Sequence, residues 1–178
     1  MSKINEPVYE ILHKLPLSSV EVRRYDKMVF IVTTIESDKR SVAARQSFST
    51  LLSYIDGHNK DANGNSLKIE MTAPVMQRML APNLWQSAFV LPTRFKIDQV
   101  PTPLSEHVHV LESPENSYAV IRFSGRTTTS RLAEQEAKLR EISSAQQWHI
   151  LSTPIYAFYN RPWTLPFLKR NEIMFLIE

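Results

Sequence analysis

The residues that could carry chemistry in this chain are five histidines, a carboxylate beside a methionine, and an arginine on the rim of a helical stripe. His107 and His109 stand two apart, which on a strand puts both imidazoles on one face, a metal-chelating spacing. No cysteine and no neighbouring third ligand accompany them, so ordinary surface positions on a strand explain them as well, and no metal site is assigned. Counted from Asp61, DANGN (61–65) lacks the glycine and the bidentate Glu of a calcium loop at the required positions. Glu70, next to Met71, fits either a buried acid for proton transfer or a side chain alternating outward. No G-x-S-x-G elbow occurs, and Gly57, Gly64 and Gly125 are isolated, so neither a P-loop nor a dinucleotide fingerprint can be built. No catalytic residue is assigned.

Arg45 precedes Phe48 by three residues and shares its helical face, with Ala44, Leu51 and Leu52 flanking the stripe. An arginine so placed suits a ligand with a flat apolar body and carboxylate arms. It also suits an arginine that lays its stem over the core and keeps its head in water. A second apolar set lies in WTLPF, where Trp163, Leu165 and Phe167 alternate and Pro162 and Pro166 stiffen the loop. Met71, Met76 and Met79 add adaptable packing. These residues fit the wall of a ligand cleft or the packed end of a barrel.

Two similar sets of elements must hold these positions. VEVRRYDKMVFIVT (20–33) is echoed by VHVLESPENSYAVIRF (108–123), and each is followed by an amphipathic helical segment. Val20 aligns with Val108 and Ile69 with Ile155, an offset of 86–88 residues that suits a duplicated unit inside one domain. Strands are predicted at 7–15, 20–35, 67–77 and 86–92, then at 106–112, 117–124, 153–159 and 171–177. The first helix is capped by Ser37 or Asp38, buries Phe48, Leu51, Leu52 and Ile55, and stops at Gly57; the second runs from Thr129 to Ala145 over Leu132, Leu139 and Ile142. The expected class is α+β, a distorted antiparallel β-barrel of two pseudo-symmetric halves (strand–strand–helix–strand–strand, duplicated) flanked by two helices. One domain over 1–178 is expected, with halves at roughly 7–95 and 104–178.

Composition narrows the classes. Hydrophobic residues make up 43% and charged residues 22% of the 178, as in ordinary globular proteins. The net charge of +3 comes from scattered basic pairs rather than a cluster, so no nucleic-acid partner is expected. Zero cysteine excludes disulfides, thiol nucleophiles and Cys-ligated metals. No signal peptide and no run long enough to span a membrane is read, and the expected location is cytoplasmic.

The order YE…VEVRRYD, a helix leading into YIDGHN, then KIEMTAPV and YNRPWTLPFLKRNEI resembles the SOUL haem-binding protein family from about Tyr9 to Glu178. M-T-x-P-V (71–75) and Y-N-x-P-W-T-L-P…R-N-E-I (159–173) carry the resemblance most specifically. It implies a distorted barrel of two related halves, similar to gyrase-inhibitor-like small-molecule-binding modules. It also implies reversible binding of haem, or of another tetrapyrrole, by a cytoplasmic carrier or buffer without redox chemistry of its own. Arg45 matches by helix position the arginine that faces the propionates, and Phe48 stands where a methionine is typical. Leu52, Trp163, Leu165 and Phe167 complete the expected ring contacts. A lysine of the C-terminal loop has no match, Thr164 and Leu165 standing there, and the strand VRRYDKMVFIVT offers no axial histidine. Two other functions fit the residues: an enzyme acting on a flat apolar molecule through Glu70 with Tyr156 or Tyr159, and a protein-interaction module without a small ligand.

Overall fold

The computed structural model describes residues 4–178; the first three residues of the expected 1–178 domain lie outside the described residues. In chain order the elements are β1 (Tyr9–Lys14), β2 (Val20–Tyr25), β3 (Met28–Glu36), α1 (Arg40–Ile55), β4 (Asn59–Lys60), β5 (Val75–Ala81) and β6 (Leu84–Val90). They continue with β7 (Thr102–Pro103), β8 (His109–Ser113), β9 (Asn116–Phe123), α2 (Thr129–Ala145), β10 (Ile155–Phe158) and β11 (Asn171–Ile177). Every named strand pairing described below is antiparallel, and the class is α+β as expected.

The chain forms two compact units, each discontinuous in sequence. The first contains residues 4–7 and Lys27–Pro114. Its strands run in the order β5-β6-β3-β8, with α1 in the connection between β3 and β5. β3 pairs with β6 from Phe30↔Val90 to Glu36↔Leu84 and with β8 from Met28↔Ser113 to Val32↔His109. Leu51, Tyr54 and Ile55 of α1 pack on Val29, Ile31, Phe89, Leu91 and Val108. The second unit contains Val8–Asp26 and Glu115–Glu178, with strand order β1-β2-β9-β11-β10 and α2 between β9 and β10. Leu132 and Leu139 of α2 pack on Val20, Val22, Ala119, Ile121, Phe123, Ile173, Phe175 and Ile177.

The alternation of each strand explains these cores. On β11, NEIMFLI, the odd positions Ile173, Phe175 and Ile177 meet α2, while Glu172 and Met174 turn to the other face and are equally buried. Such a strand reads as a continuous apolar run because both of its faces are covered. The second helix has the expected ends, and Thr128 caps it by accepting a hydrogen bond from the Arg131 amide at 3.2 Å.

Several expectations change. The N-cap of α1 is Lys39, without a side-chain cap; Ser37 Oγ instead accepts from the Lys39 amide at 3.1 Å, a turn that precedes the helix. The buried stripe of α1 is Ala43, Ser47, Leu51, Tyr54 and Ile55, so Phe48 and Leu52 ride on its flank. The predicted strand at 67–77 is a ladder only from Val75 onward. The preceding backbone finds other partners: the Asn59 side chain donates to the carbonyls of Tyr54 (2.7 Å) and Leu67 (2.8 Å) and accepts from the Leu67 amide (3.0 Å). The Ile69 amide donates to the Ile55 carbonyl at 2.8 Å. With its polar groups satisfied this way, the segment has no need of a neighbouring strand. Gly57 does close α1, at φ +113°, where a Cβ would meet Ser66 Oγ at 2.5 Å.

Candidate functional site

Arg45, Phe48 and Leu52 lie along α1 at intervals of three and four residues, and therefore on one side of the helix. Leu52 is half-buried, Arg45 is exposed, and Phe48 keeps 40% of its surface exposed. The exposed ring is not loose: it rests edge-on against Phe89 of β6, with centroids 5.5 Å apart. Arg45 has no ion-pair or hydrogen-bond partner among the described residues. The helix is anchored at its start, where Arg40 donates to Gln77 Oε1 of β5 at 3.2 Å. A fixed helix thus presents an unpaired guanidinium beside an aromatic ring and a leucine, a surface suited to an apolar ring bearing an acid.

Trp163, Leu165 and Phe167 lie in the β10–β11 connection and are 75%, 55% and 70% exposed. The loop is tightly bonded all the same. Thr164 N donates to Arg161 O (3.0 Å), Leu168 N to Leu165 O (2.9 Å) and Lys169 N to Pro166 O (3.1 Å), and residues 166–168 form a 3-10 turn. Gly125 N donates to Pro166 O at 2.9 Å, tying the loop to the β9–α2 connection.

The histidines part company. His107 sits in the turn before β8 rather than on the strand, so the expected shared face with His109 does not form. His107 instead lines a groove of about 280 Å³ in the first unit with His58, Ser49, Thr50, Ser53, Tyr54, Ser105 and Val108. A second groove, of about 590 Å³, lies in the second unit beyond the end of α2, among Arg140, Ser144, Gln147, Trp148, His149 and Ile150. Among the described residues no three His, Cys, Asp or Glu side chains gather as a metal site would require.

Glu70 is not a buried acid. It is exposed and forms a two-pronged ion pair with Arg94, whose hydrogen bond holds the carboxyl below its ordinary range, the opposite of what a proton donor near neutrality needs. The acid that is buried is Glu172, which the sequence reasoning passed over. It accepts from Arg23 Nη1 at 2.8 Å and Nη2 at 3.1 Å, from Tyr159 Oη at 2.8 Å and from Arg170 Nε at 3.0 Å. Arg23 also donates to Glu21 (2.9 Å) and Tyr25 Oη (3.2 Å), and lies 4.3 Å from the Tyr9 ring centre. Burial would raise the Glu172 carboxyl, but the hydrogen bond and charge of Arg23, the charge of Arg170 and the Tyr159 hydroxyl outweigh it and hold the group low. Burial pushes the Tyr25 phenol up to about 12. With every acceptor position engaged, this cluster is a charge-balanced girder across β2 and β11. The signal that could have found it is one carboxylate inside the apolar run NEIMFLI, since a charge on a strand covered on both faces needs a partner.

Comparison with known proteins supplies the family. The SOUL heme-binding protein family matches residues 4–176. Heme-binding protein 2 of Homo sapiens is 28% identical over 168 residues, covering 90% of this chain and 78% of that protein. Heme-binding protein 2 of Mus musculus is 25% identical over the same coverage. The crystal structure of the EcmrR C-terminal domain superposes with a TM-score of 0.67 at 10% identity, over 91% of this chain and 98% of that one, a likeness of fold. With the family's pattern running through nearly every described residue, the chain belongs to the SOUL heme-binding protein family.

Proposed function

We propose that this protein binds haem or a related tetrapyrrole, with Arg45, Phe48 and Leu52 of α1 as contacts. The observation that carries the reading is the unpaired guanidinium of Arg45 beside the exposed, Phe89-braced ring of Phe48. A propionate would supply the missing counter-charge, and the ring face would cover Phe48 and Leu52. When bound, the tetrapyrrole brings a broad apolar surface, two carboxylates and a metal centre. The chain's own part is to orient the acid and shield the ring edge. Family membership and the name of the human and mouse relatives support haem as the ligand class.

We further propose a cytoplasmic carrier or buffer formed as one SOUL-type domain of two duplicated halves. The family match over 4–176 supports one domain, and the correspondence of β8-β3-β6-β5 with β2-β9-β11-β10, each with a helix in the same connection and with β1 left over, supports the duplication. Absence of cysteine favours a reducing compartment. Among the described residues no helix is long and apolar enough to cross a membrane. The test is a hemin titration of the purified chain followed in the Soret region and by thermal shift. A saturable spectral change at micromolar protein, with stabilisation that grows with hemin, is expected. A folded protein showing neither would end the proposal.

A further inference from the structure

The β10–β11 loop exposes more apolar surface than packing requires. Trp163, Leu165, Phe167 and Leu168 are 75%, 55%, 70% and 62% exposed within six consecutive residues. The loop cannot collapse to hide them, because Pro162, Pro166 and the hydrogen bonds within 161–169 hold its shape. Its charge is equally one-sided. From Ile142 to Asn171 there is no Asp or Glu, and from Asn116 to Ala133, the stretch that meets the loop at Gly125, there is none either.

The cations on this surface are largely unengaged. Arg161 lies 5.5 Å from the Trp163 ring centre, and Lys169 Nζ reaches only the Pro162 carbonyl at 3.2 Å. Arg126, exposed, follows the residue that bonds Pro166. Arg170 is excluded from this set, since Glu172 holds its head.

We propose that this loop docks on an anionic lipid bilayer surface, with Trp163, Leu165, Phe167 and Leu168 entering the headgroup boundary while Arg161, Lys169 and Arg126 meet the acidic headgroups. A tryptophan among leucine and phenylalanine, ringed by basic side chains, matches the chemistry of that boundary, apolar below and negative above. The stiff loop loses little entropy on insertion. Basic side chains beside an exposed apolar loop fit a negative sheet of charge, which a bilayer surface presents to the whole loop at once. The family resemblance offers Trp163, Leu165 and Phe167 to a tetrapyrrole ring; the bilayer is a different partner for the same side chains, and hemin-free protein keeps the two tests separate.

Full-length protein is mixed with vesicles of phosphatidylcholine alone or with about one-third phosphatidylserine, and binding is read by co-sedimentation and tryptophan emission. Binding to the anionic vesicles is expected, with a blue shift that Trp163→Phe removes and with weakening at high salt. Phe167→Ser/Leu168→Ser should weaken it at least about tenfold, and Arg161→Gln/Lys169→Gln about thirtyfold. All substituted side chains are exposed or bonded only within the loop, and a melting curve for each variant verifies the fold. Absence of binding to the anionic vesicles, as a protein-docking loop would give, overturns the proposal. So does binding that the folded loop variants leave unchanged. Failure here leaves the hemin titration untouched.

Discussion

Glu172→Gln should be among the most damaging single substitutions in the second unit. The side chain is fully buried and accepts from Arg23, Tyr159 and Arg170. The amide keeps the shape but loses the charge, and its NH2 group faces a guanidinium. Breaking a buried ion pair from one side costs about 3–5 kcal/mol, because the partner is left uncompensated. Arg23, however, retains Glu21 and Tyr25, and Arg170 is partly exposed at 17%, so the lower end of that range, about 3 kcal/mol, is expected. For a chain of this length that is a fall in melting temperature of about 10 °C. Urea unfolding followed by far-UV circular dichroism measures it, provided the slope is unchanged. Arg23→Met should cost less, since Glu172 keeps Arg170 and Tyr159. The pH dependence adds a second arm. A carboxyl held low in the folded state contributes stability that is present above its unfolded value, about 4.3, and lost as pH falls through the folded value. Wild type and Glu172→Gln should therefore converge in stability as pH drops below about 4.3. A loss under about 1 kcal/mol at neutral pH, or a gap that does not close in acid, would refute the reasoning.

Other substitutions test the rest of the account. Gly57→Ala places a Cβ at φ +113° against Ser66 and should cost at least about 1 kcal/mol in urea unfolding; an unchanged midpoint would show that the α1 terminus relaxes. Ser143→Ala removes a buried hydroxyl with no hydrogen-bond partner among the described residues and improves helix propensity, so about 1 kcal/mol of stabilisation is expected, and a destabilised variant would contradict the assignment. Phe48→Ala should cost only about 1 kcal/mol of stability, as its ring is half outside and gains mainly the edge contact with Phe89, while hemin affinity falls; a variant that fails to fold would make Phe48 a core residue.

Local signals were readable in the sequence where the chain decides them locally. The span of α2 follows from its apolar seam, and β11 from a run of apolar residues; the Thr128 cap is a finding of the structure. The stretch 67–74 misled because its alternation resembles a strand, whereas its backbone is satisfied by Asn59 and Ile55, partners that no local pattern displays. The flank position of Phe48 and Leu52 was hidden because Ala43 and Ser47, too small to advertise a core, form the buried stripe with Leu51. Arg23 and Glu172 lie 149 residues apart, so periodicity could not join them. Of the α1 contacts, the shared side of Arg45 and Phe48 was legible from their spacing. The bracing of Phe48 by Phe89 and the lack of a partner for Arg45 required the fold.

Arg45 decides whether a tetrapyrrole lies against α1. Hemin affinity and melting temperature measured together for wild type, Arg45→Lys and Arg45→Glu give the most direct test. The exposed guanidinium carries no structural bond, so all three proteins should melt alike. Arg45→Glu should bind hemin about tenfold to a hundredfold more weakly, and Arg45→Lys should fall between, keeping the charge without the bidentate fork. Equal affinity across the three proteins would contradict the account and move the ligand away from this side of α1.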